Sequence, residues 1–230
     1  MIEGLVPART VSVHTATRPI GDPASALFPE EAAAVAGAVR KRQEEFATVR
    51  FCARTALARL GHAPAPLLTN RRGAPQWPAG VVGSMTHCDG YRAAAVARAS
   101  AALSVGIDAE PNAPLPHGVL GKIALPAERE RLGRLSALRP AVHWARLLFS
   151  AKESVFKVWY PLTGRELDFT EAEVTIEPGD GTFSARLLVP GPVVDGRRLE
   201  LFGGRWAAGD GLVVSAIVLP APEPGGTSGR

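Results

Sequence analysis

The sequence has few of the residues that mark several large classes of protein. Its 230 residues include two cysteines and no CxxC pair, which excludes a disulfide framework and a zinc site on paired cysteines. Aromatic residues are only 6% of the chain, so the stacking platforms of single-strand nucleic-acid binders are scarce. The longest apolar run, around residues 32–39, is far too short to cross a bilayer. The sequence therefore predicts no membrane association.

The N-terminal segment MIEGLVPART does not have the features of a secretory signal, since it carries an acid at Glu3 and lacks an apolar core. With so few cysteines, we expect a cytoplasmic protein in which Cys52 and Cys88 are reduced. A hydrophobic fraction of 46% and a charged fraction of 21% are typical of a globular chain. Its length suits one large domain or two small ones.

The net charge is mildly positive, and most of the basic residues are arginines. The chain has 26 basic and 22 acidic residues, a formal net charge of +4. This excess suits an anionic partner such as a phosphorylated ligand or an acidic protein. Without a lysine tract, an RNA-binding strand or zinc-finger spacing, charge does not by itself predict a nucleic-acid partner. A non-catalytic binder of phosphorylated ligands and an arginine-rich nucleic-acid-binding protein are the alternatives to an enzyme.

Hydrophobic periodicity and turn residues predict an α/β (α+β) fold in which long helices pack beside short antiparallel strands. One helix is predicted from Pro29 to Leu60, and the pair Asp89-Gly90 predicts a tight hairpin. A helix after Pro140 is expected to run to about Tyr160, where Pro161 and Gly164 end it. The other predicted elements are a helix at 127–138 and strands at 81–86, 91–97, 103–108, 172–176, 182–189, 199–202 and 212–219. We expect domains at 1–105 and 106–220 and a disordered tail at 221–230.

Asp108 and Glu110 stand at the end of an apolar strand, in the segment GIDAEP. Alternate side chains of a strand share a face, so these carboxylates lie side by side. They repel each other unless a cation lies between them, and hard oxygen ligands suit Mg²⁺. The alternative is an exposed strand end with two solvated acids.

The segment FSAKESVFK of the second-half helix carries Lys152, Glu153 and Lys157. Glu153 and Lys157 have the spacing of a surface ion pair, which contributes about 0.3–0.5 kcal/mol. In the functional interpretation, Glu153 is a third metal ligand or a proton acceptor. Both lysines then contact phosphate oxygens.

Ser84, Thr86 and His87 lie on the strand that enters the hairpin. The two hydroxyls alternate on one face as donors, and His87 can bind a phosphate oxygen, although a single histidine near a turn is more often structural. A serine hydrolase using Ser84, His87 and Asp108 is disfavoured because GxSxG is missing and nucleophile and base would share one strand.

Arginines supply a further candidate anion site. Arg50 and Arg54 are one turn apart on the first predicted helix, so their guanidinium groups point the same way. With Arg71 and Arg72 they are candidates for a cradle around a polyanion. A solvated arginine-rich surface fits the same spacing.

Three stretches together resemble the signature regions of the 4′-phosphopantetheinyl transferases. They are RRGAPQWPAGVVGSMTHCDGYRAAAVA, GIDAEP and FSAKESVFKVWYPLTG, in that order. The resemblance spans about residues 40–165 and is to the larger, monomeric type that activates siderophore, surfactin and polyketide synthases. It implies two similar α/β subdomains related by a pseudo-twofold axis, with coenzyme A bound between them.

The resemblance also implies roles for individual residues. Arg72, with Arg50 or Arg54, would hold the 3′-phosphate of coenzyme A, and Lys157 and His87 would contact its phosphates. Mg²⁺ on the pyrophosphate would be bound by Asp108, Glu110 and Glu153.

The implied reaction moves phosphopantetheine to a serine of an acyl or peptidyl carrier protein and releases adenosine 3′,5′-bisphosphate. We expect Glu153 to be the base and Lys157 to stabilise the developing charge. A metal-bound water that relays the proton is the main alternative to Glu153 as base. A carrier protein that is acidic around its serine fits the positive net charge.

Overall fold

The computed structural model describes residues 1–15 and 26–222. The predicted tail lies outside the described residues except for positions 221 and 222. None of the helices in the described ranges combines the length and the apolar composition that a membrane span requires.

The described chain alternates helices with antiparallel strands, which confirms the predicted α/β class. The helices are α1 (Pro29–Val35), α2 (Arg40–Arg59), α3 (Val119–Ile123), α4 (Pro126–Leu138) and α5 (Trp144–Thr163). The strands are β1 (Thr10–Thr15), β2 (Val81–Cys88), β3 (Tyr91–Arg98), β4 (Ala102–Pro111), β5 (Ala172–Glu177), β6 (Thr182–Leu187), β7 (Val193–Val194), β8 (Arg197–Arg198), β9 (Leu201–Gly209) and β10 (Leu212–Pro220).

Two antiparallel sheets carry the long helices. A three-stranded sheet has the order β1-β3-β2, and a five-stranded sheet has the order β4-β10-β9-β6-β5. Helix α2 buries residues such as Ala53 and Leu57 against β3, and α5 buries Leu147 and Val155 in the core over the larger sheet. A third apolar cluster joins β3 to β4 and β10. The predicted hairpin at Asp89-Gly90 is confirmed, and Gly90 has the positive φ of +74° that this turn requires.

One prediction about the helices was wrong, and another was correct in part. The helix predicted from Pro29 to Leu60 is broken into α1 and α2, with Gly37, a poor helix former, in the break. Helix α5 runs past Tyr160 and through Pro161, because a proline in the last turn removes only one backbone hydrogen bond. The predicted stop at Gly164 is confirmed, since its φ of +64° is the left-handed cap conformation.

Strands β2 and β4 are edge strands of different sheets that meet through side chains. The backbone N–H of Ile107 donates to Oγ of Ser84, and that of Ala109 donates to Oγ1 of Thr86, each at 3.1 Å. The domain boundary predicted at residues 105/106 falls within β4. The division into two domains stays a prediction.

Helix α5 packs unusually close to β4 at Gly106. A Cβ atom added to Gly106 would lie 2.2 Å from the backbone oxygen of Ser154 and 2.8 Å from Val158. Real Cβ atoms do not come this near a backbone oxygen, so any larger residue must push the helix away. The hydroxyls of Ser150 and Ser154 both hydrogen-bond Oγ of Ser215 on β10, at 2.9 and 2.8 Å, and hold α5 in this position.

A buried ion pair joins α4 to α5. Nζ of Lys152 lies 2.9 Å from Oε2 of Glu128, and both side chains are 1% exposed. Lys152 also donates to the backbone oxygens of Phe169 and Ala172, at 2.6 and 2.9 Å. Glu128 accepts from the backbone N–H of Val174 at 2.7 Å. Burial lowers the pKa of Lys152, and the hydrogen bond to Glu128 opposes that shift. Lys152 therefore holds the C-terminal core together.

Gly106→Ala should destabilise the protein by about 1–3 kcal/mol, because the new methyl group overpacks the contact with α5. Denaturant unfolding measures this loss. Gly133→Ala in α4 is the matched control, since nothing lies within 4 Å of a Cβ there. It should stabilise the protein by about 0.5–1 kcal/mol through helix propensity. Similar effects of the two substitutions would contradict the close contact at Gly106.

Lys152→Met should reduce the free energy of unfolding by about 3–5 kcal/mol, because it leaves the charge of Glu128 buried without its partner. Adding Glu128→Gln removes that charge and keeps an acceptor for Val174. The double variant should therefore be more stable than Lys152→Met alone. Further loss in the double variant would contradict the role of the pair.

Candidate active site

A cavity of about 680 Å³ opens between α2, β2, α5 and the loop 69–75. Its wall combines basic, acidic and aromatic side chains. The charged and histidine residues that line it are Arg42, Glu45, Arg50, Arg72, His87, Glu153, Lys157 and Glu166. This size and this mixture suit an elongated anionic ligand with apolar portions.

Asp108 is buried next to Lys157, close to this cavity. Its Oδ1 accepts hydrogen bonds from Nζ of Lys157 at 2.7 Å and from Oγ1 of Thr86 at 3.1 Å. Its Oδ2 is buried and has no hydrogen-bond partner among the described residues. A buried carboxylate oxygen without a partner is costly, so Oδ2 is available to a cation or a donor.

Glu153 lines the cavity. Its carboxylate forms no hydrogen bond or ion pair with another side chain in the described ranges, because Lys157 bonds Asp108. Burial raises the pKa of its carboxyl, which Lys157 opposes and the charge of Asp108 reinforces. The alternative of a surface pair between Glu153 and Lys157 is not borne out, because Lys157 donates to Asp108 and to the backbone oxygen of Ile107.

Glu110 projects from β4 and bonds Arg146 of α5. Its Oε2 accepts from Nη1 of Arg146 at 3.0 Å, and Arg146 also donates to the backbone oxygen of Pro114 at 2.6 Å. Burial and the charge of Asp108 raise the pKa of Glu110, while Arg146 opposes the shift. Among residues 1–15 and 26–222, no three His, Cys, Asp or Glu side chains are grouped so as to hold a metal ion. Asp108, Glu110 and Glu153 are thus electrostatic neighbours without forming a preassembled ligand cluster.

Of the two arginines predicted on α2, only Arg50 reaches the cavity. Arg50 is buried and donates from Nε to the backbone oxygen of Leu67 at 3.0 Å, while its Nη2 has no partner among the described residues. Burial lowers its pKa to about 10. Arg54 instead bonds both carboxylate oxygens of Glu31 at 2.9 Å and the backbone oxygen of Ala26 at 2.6 Å. That buried carboxylate holds Arg54 away from the cavity, so its binding role has no support here.

The loop 69–75 is fastened to the end of α5 across the cavity. The side-chain nitrogen of Asn70 donates to the hydroxyl of Tyr160 at 3.2 Å, and Arg72 forms an ion pair with Glu166. The side-chain oxygen of Asn70 accepts from the backbone N–H groups of Arg72 and Ala74, which shapes the loop. Arg72 is therefore held at the mouth of the cavity.

Of the other predicted binding residues, some line the cavity and others do not. His87 lines the cavity, and its Nε2 lies 2.8 Å from Nη1 of Arg42. Ser84 also lines it, but Ser84 and Thr86 are buried and their oxygens accept N–H groups of β4. Their main contacts are structural. Lys152 bonds Glu128 and does not reach the cavity, so the predicted contact with phosphate oxygens was wrong.

Several residues of the site were missed in the sequence. Arg42 and Glu45 line the cavity, although their charged stretch is typical of a solvated helix face. Tyr160 and Arg146 contact site residues from α5. The one available signal was that Arg42 lies two turns before Arg50 on the same helix.

Comparison with known proteins agrees with the resemblance. Residues 30–97 match the model of the 4′-phosphopantetheinyl transferase N-terminal domain, and residues 104–207 match that of the 4′-phosphopantetheinyl transferase superfamily. The chain is 68% identical over 222 residues to 4′-phosphopantetheinyl transferase Svp of Streptomyces mobaraensis, covering 96% of this chain and 90% of the relative. It is 50% identical over 196 residues to 4′-phosphopantetheinyl transferase PptT of Mycobacterium tuberculosis, covering 84% and 86%.

A more distant match is Enterobactin synthase component D of Escherichia coli, which is 37% identical over 121 residues and covers 51% of this chain and 55% of the relative. The matches give no support to the two alternatives raised by charge, a non-catalytic binder and a nucleic-acid-binding protein. The two family models together span most of the chain. The protein belongs to the 4′-phosphopantetheinyl transferases.

Proposed function

We propose that this enzyme transfers 4′-phosphopantetheine from coenzyme A to a serine hydroxyl of an acyl or peptidyl carrier protein, in a Mg²⁺-dependent reaction that releases adenosine 3′,5′-bisphosphate. The observation that carries the proposal is the arrangement of Asp108, Lys157 and Glu153 beside a basic cavity. Oδ2 of Asp108 is buried without a hydrogen-bond partner among the described residues, Oδ1 of Asp108 accepts from Lys157, and burial raises the pKa of Glu153. Charge neutralisation and proton removal are what phosphoryl transfer requires.

The donor set fits a divalent cation. Carboxylate oxygens are the ligands that Mg²⁺ prefers, and Oδ2 of Asp108 is buried without a partner among the described residues. Asp108, Glu110 and Glu153 would hold the metal. Of the two carboxylate oxygens of Glu110, Arg146 bonds only Oε2. A bound Mg²⁺ supplies positive charge against the pyrophosphate of coenzyme A.

The chain's own residues account for the proton and for part of the charge. The serine oxygen forms a bond to the phosphorus that carries pantetheine, and the phosphoanhydride bond to the nucleotide breaks. Glu153 accepts the serine proton, because it lines the cavity and its carboxylate has no hydrogen bond or ion pair within the described ranges. Lys157, held by Asp108, stabilises the charge on the departing phosphate.

The basic part of the cavity would bind the nucleotide end of coenzyme A. Arg72 lies at the mouth, where the exposed carboxylate of Glu166 occupies it, and a phosphate can take the place of that carboxylate. Arg50 presents its unpaired Nη2 from the buried wall. We assign Arg72 to the 3′-phosphate and His87 to a further phosphate oxygen, because both line the cavity.

The carrier protein is proposed from the family and from charge. The net charge of +4 favours encounter with an acidic carrier surface, and such steering weakens as salt rises. The partial similarity to Enterobactin synthase component D makes a siderophore-producing synthase one candidate for the source of the carrier. We further propose a cytoplasmic monomer.

Glu153→Gln should slow transfer by about 10²–10⁴-fold at saturating Mg²⁺, because glutamine keeps the shape but cannot accept the proton. Coenzyme A should still bind with similar affinity. Transfer is measured by intact mass of the carrier across a Mg²⁺ titration, with the exposed Glu130→Gln as a control. Restoration of most activity by extra Mg²⁺ would leave Glu153 as a ligand and contradict its role as base.

Arg72→Ala should raise the Kd for coenzyme A by about tenfold to a hundredfold, because a charge-assisted contact to the 3′-phosphate is lost. Dephospho-coenzyme A lacks that phosphate, so its Kd should change much less. Calorimetry with both ligands measures the difference. The neighbouring Arg71→Ala is the control, since Arg71 does not line the cavity. Equal losses for the two ligands would place Arg72 elsewhere.

A further inference from the structure

Glu45 is an acidic residue within the basic wall of the cavity. It lies on α2, its side chain is 13% exposed, and it lines the cavity with Arg42 and His87. Its carboxylate oxygens lie 3.5 Å from Nε2 of His87, 3.9 Å from Nη1 of Arg42 and 3.9 Å from Nη2 of Arg92. One carboxylate thus faces three basic side chains from α2, β2 and β3.

These contacts define how His87 is presented. Nη1 of Arg42 lies 2.8 Å from Nε2 of His87 and can only donate, so Nε2 accepts in this contact and Glu45 acts on His87 through Arg42. Burial and the charge of Arg42 lower the pKa of His87, as do Lys157 and Arg92, while Glu45 raises it. Without Glu45, nothing in this group would offset the repulsion between Arg42 and Arg92.

We propose that Glu45 is a positioning residue, which holds Arg42 and His87 at the cavity wall in the geometry that receives a phosphate group of the ligand. The inference rests on the proposed function, because it takes coenzyme A as that ligand. Glu45 acts through its neighbours and does not contact the phosphate itself, since two anions would repel each other.

If Glu45 positions its neighbours, removing its negative charge should weaken the binding of an anionic ligand, although net charge alone would predict tighter binding. Removing a negative charge from the wall of an anion-binding cavity should tighten anion binding if only long-range electrostatics mattered. If Glu45 positions the basic groups, its loss lets Arg42 and Arg92 separate and weakens binding. The direction of the change therefore separates the two effects.

The test compares Glu45→Gln with Glu44→Gln. Both variants lose one negative charge from the same helix, but Glu44 pairs with Arg40, at 2.9 Å, outside the cavity lining. Calorimetry with coenzyme A should give a Kd about fivefold or more higher for Glu45→Gln. For Glu44→Gln the Kd should stay within about twofold of wild type.

A double-mutant cycle with His87→Gln distinguishes positioning from general damage to the fold. If Glu45 acts through its basic neighbours, His87→Gln should cost clearly less affinity in the Glu45→Gln background than in wild type. Thermal midpoints of the variants should match. The ring signals of His87 in NMR spectra should shift in Glu45→Gln and not in Glu44→Gln, which a role in stability alone would not produce.

The outcomes separate this inference from the proposed function. If wild-type protein does not bind coenzyme A, the proposed function fails. If wild type binds and Glu45→Gln binds equally well or more tightly, Glu45 has no positioning role. Strict additivity of Glu45→Gln and His87→Gln also overturns the inference, while the transferase activity stands.

Discussion

The close packing of α5 on β4 at Gly106 sets the geometry of the whole site. Because no side chain separates the two elements there, Ser154 of the helix reaches the strand backbone. One turn further along α5, Lys157 is thereby brought within 2.7 Å of Asp108. A strand alone or a helix alone could not bring these groups together. The buried serines that join α5 to β10 keep the contact from opening.

Two kinds of buried charged side chain can be compared in this protein. In one kind the charged atoms have hydrogen-bond partners, and in the other kind one polar atom has none. Glu31 with Arg54, and Glu128 with Lys152, are buried pairs whose remaining hydrogen bonds go to backbone groups, and they hold helices in place. Asp108 and Arg50 each keep one buried polar atom without a partner among the described residues. Unsatisfied buried atoms are costly, and both lie where a phosphorylated ligand and its metal are proposed to bind.

The sequence predicted what depends on local pattern and missed what depends on distant packing. The hairpin at Asp89-Gly90 and the acids of GIDAEP follow from turn chemistry and strand alternation, so both could be located. Lys152 could not be assigned correctly, because its partner Glu128 lies on another helix and only the fold brings them together. The proposed role of Glu45 likewise depends on contacts that no spacing rule contains.

The meeting of β2 and β4 has a consequence for solubility. Each is the edge strand of its own sheet, and an uncovered edge readily pairs with a strand of another molecule. Here the hydroxyls of Ser84 and Thr86 take the N–H groups of β4 that would otherwise recruit a neighbour. The N-terminal half thus shields the larger sheet from aggregation. A fragment beginning at β4 would expose that edge together with Val105 and Ile107 and would self-associate.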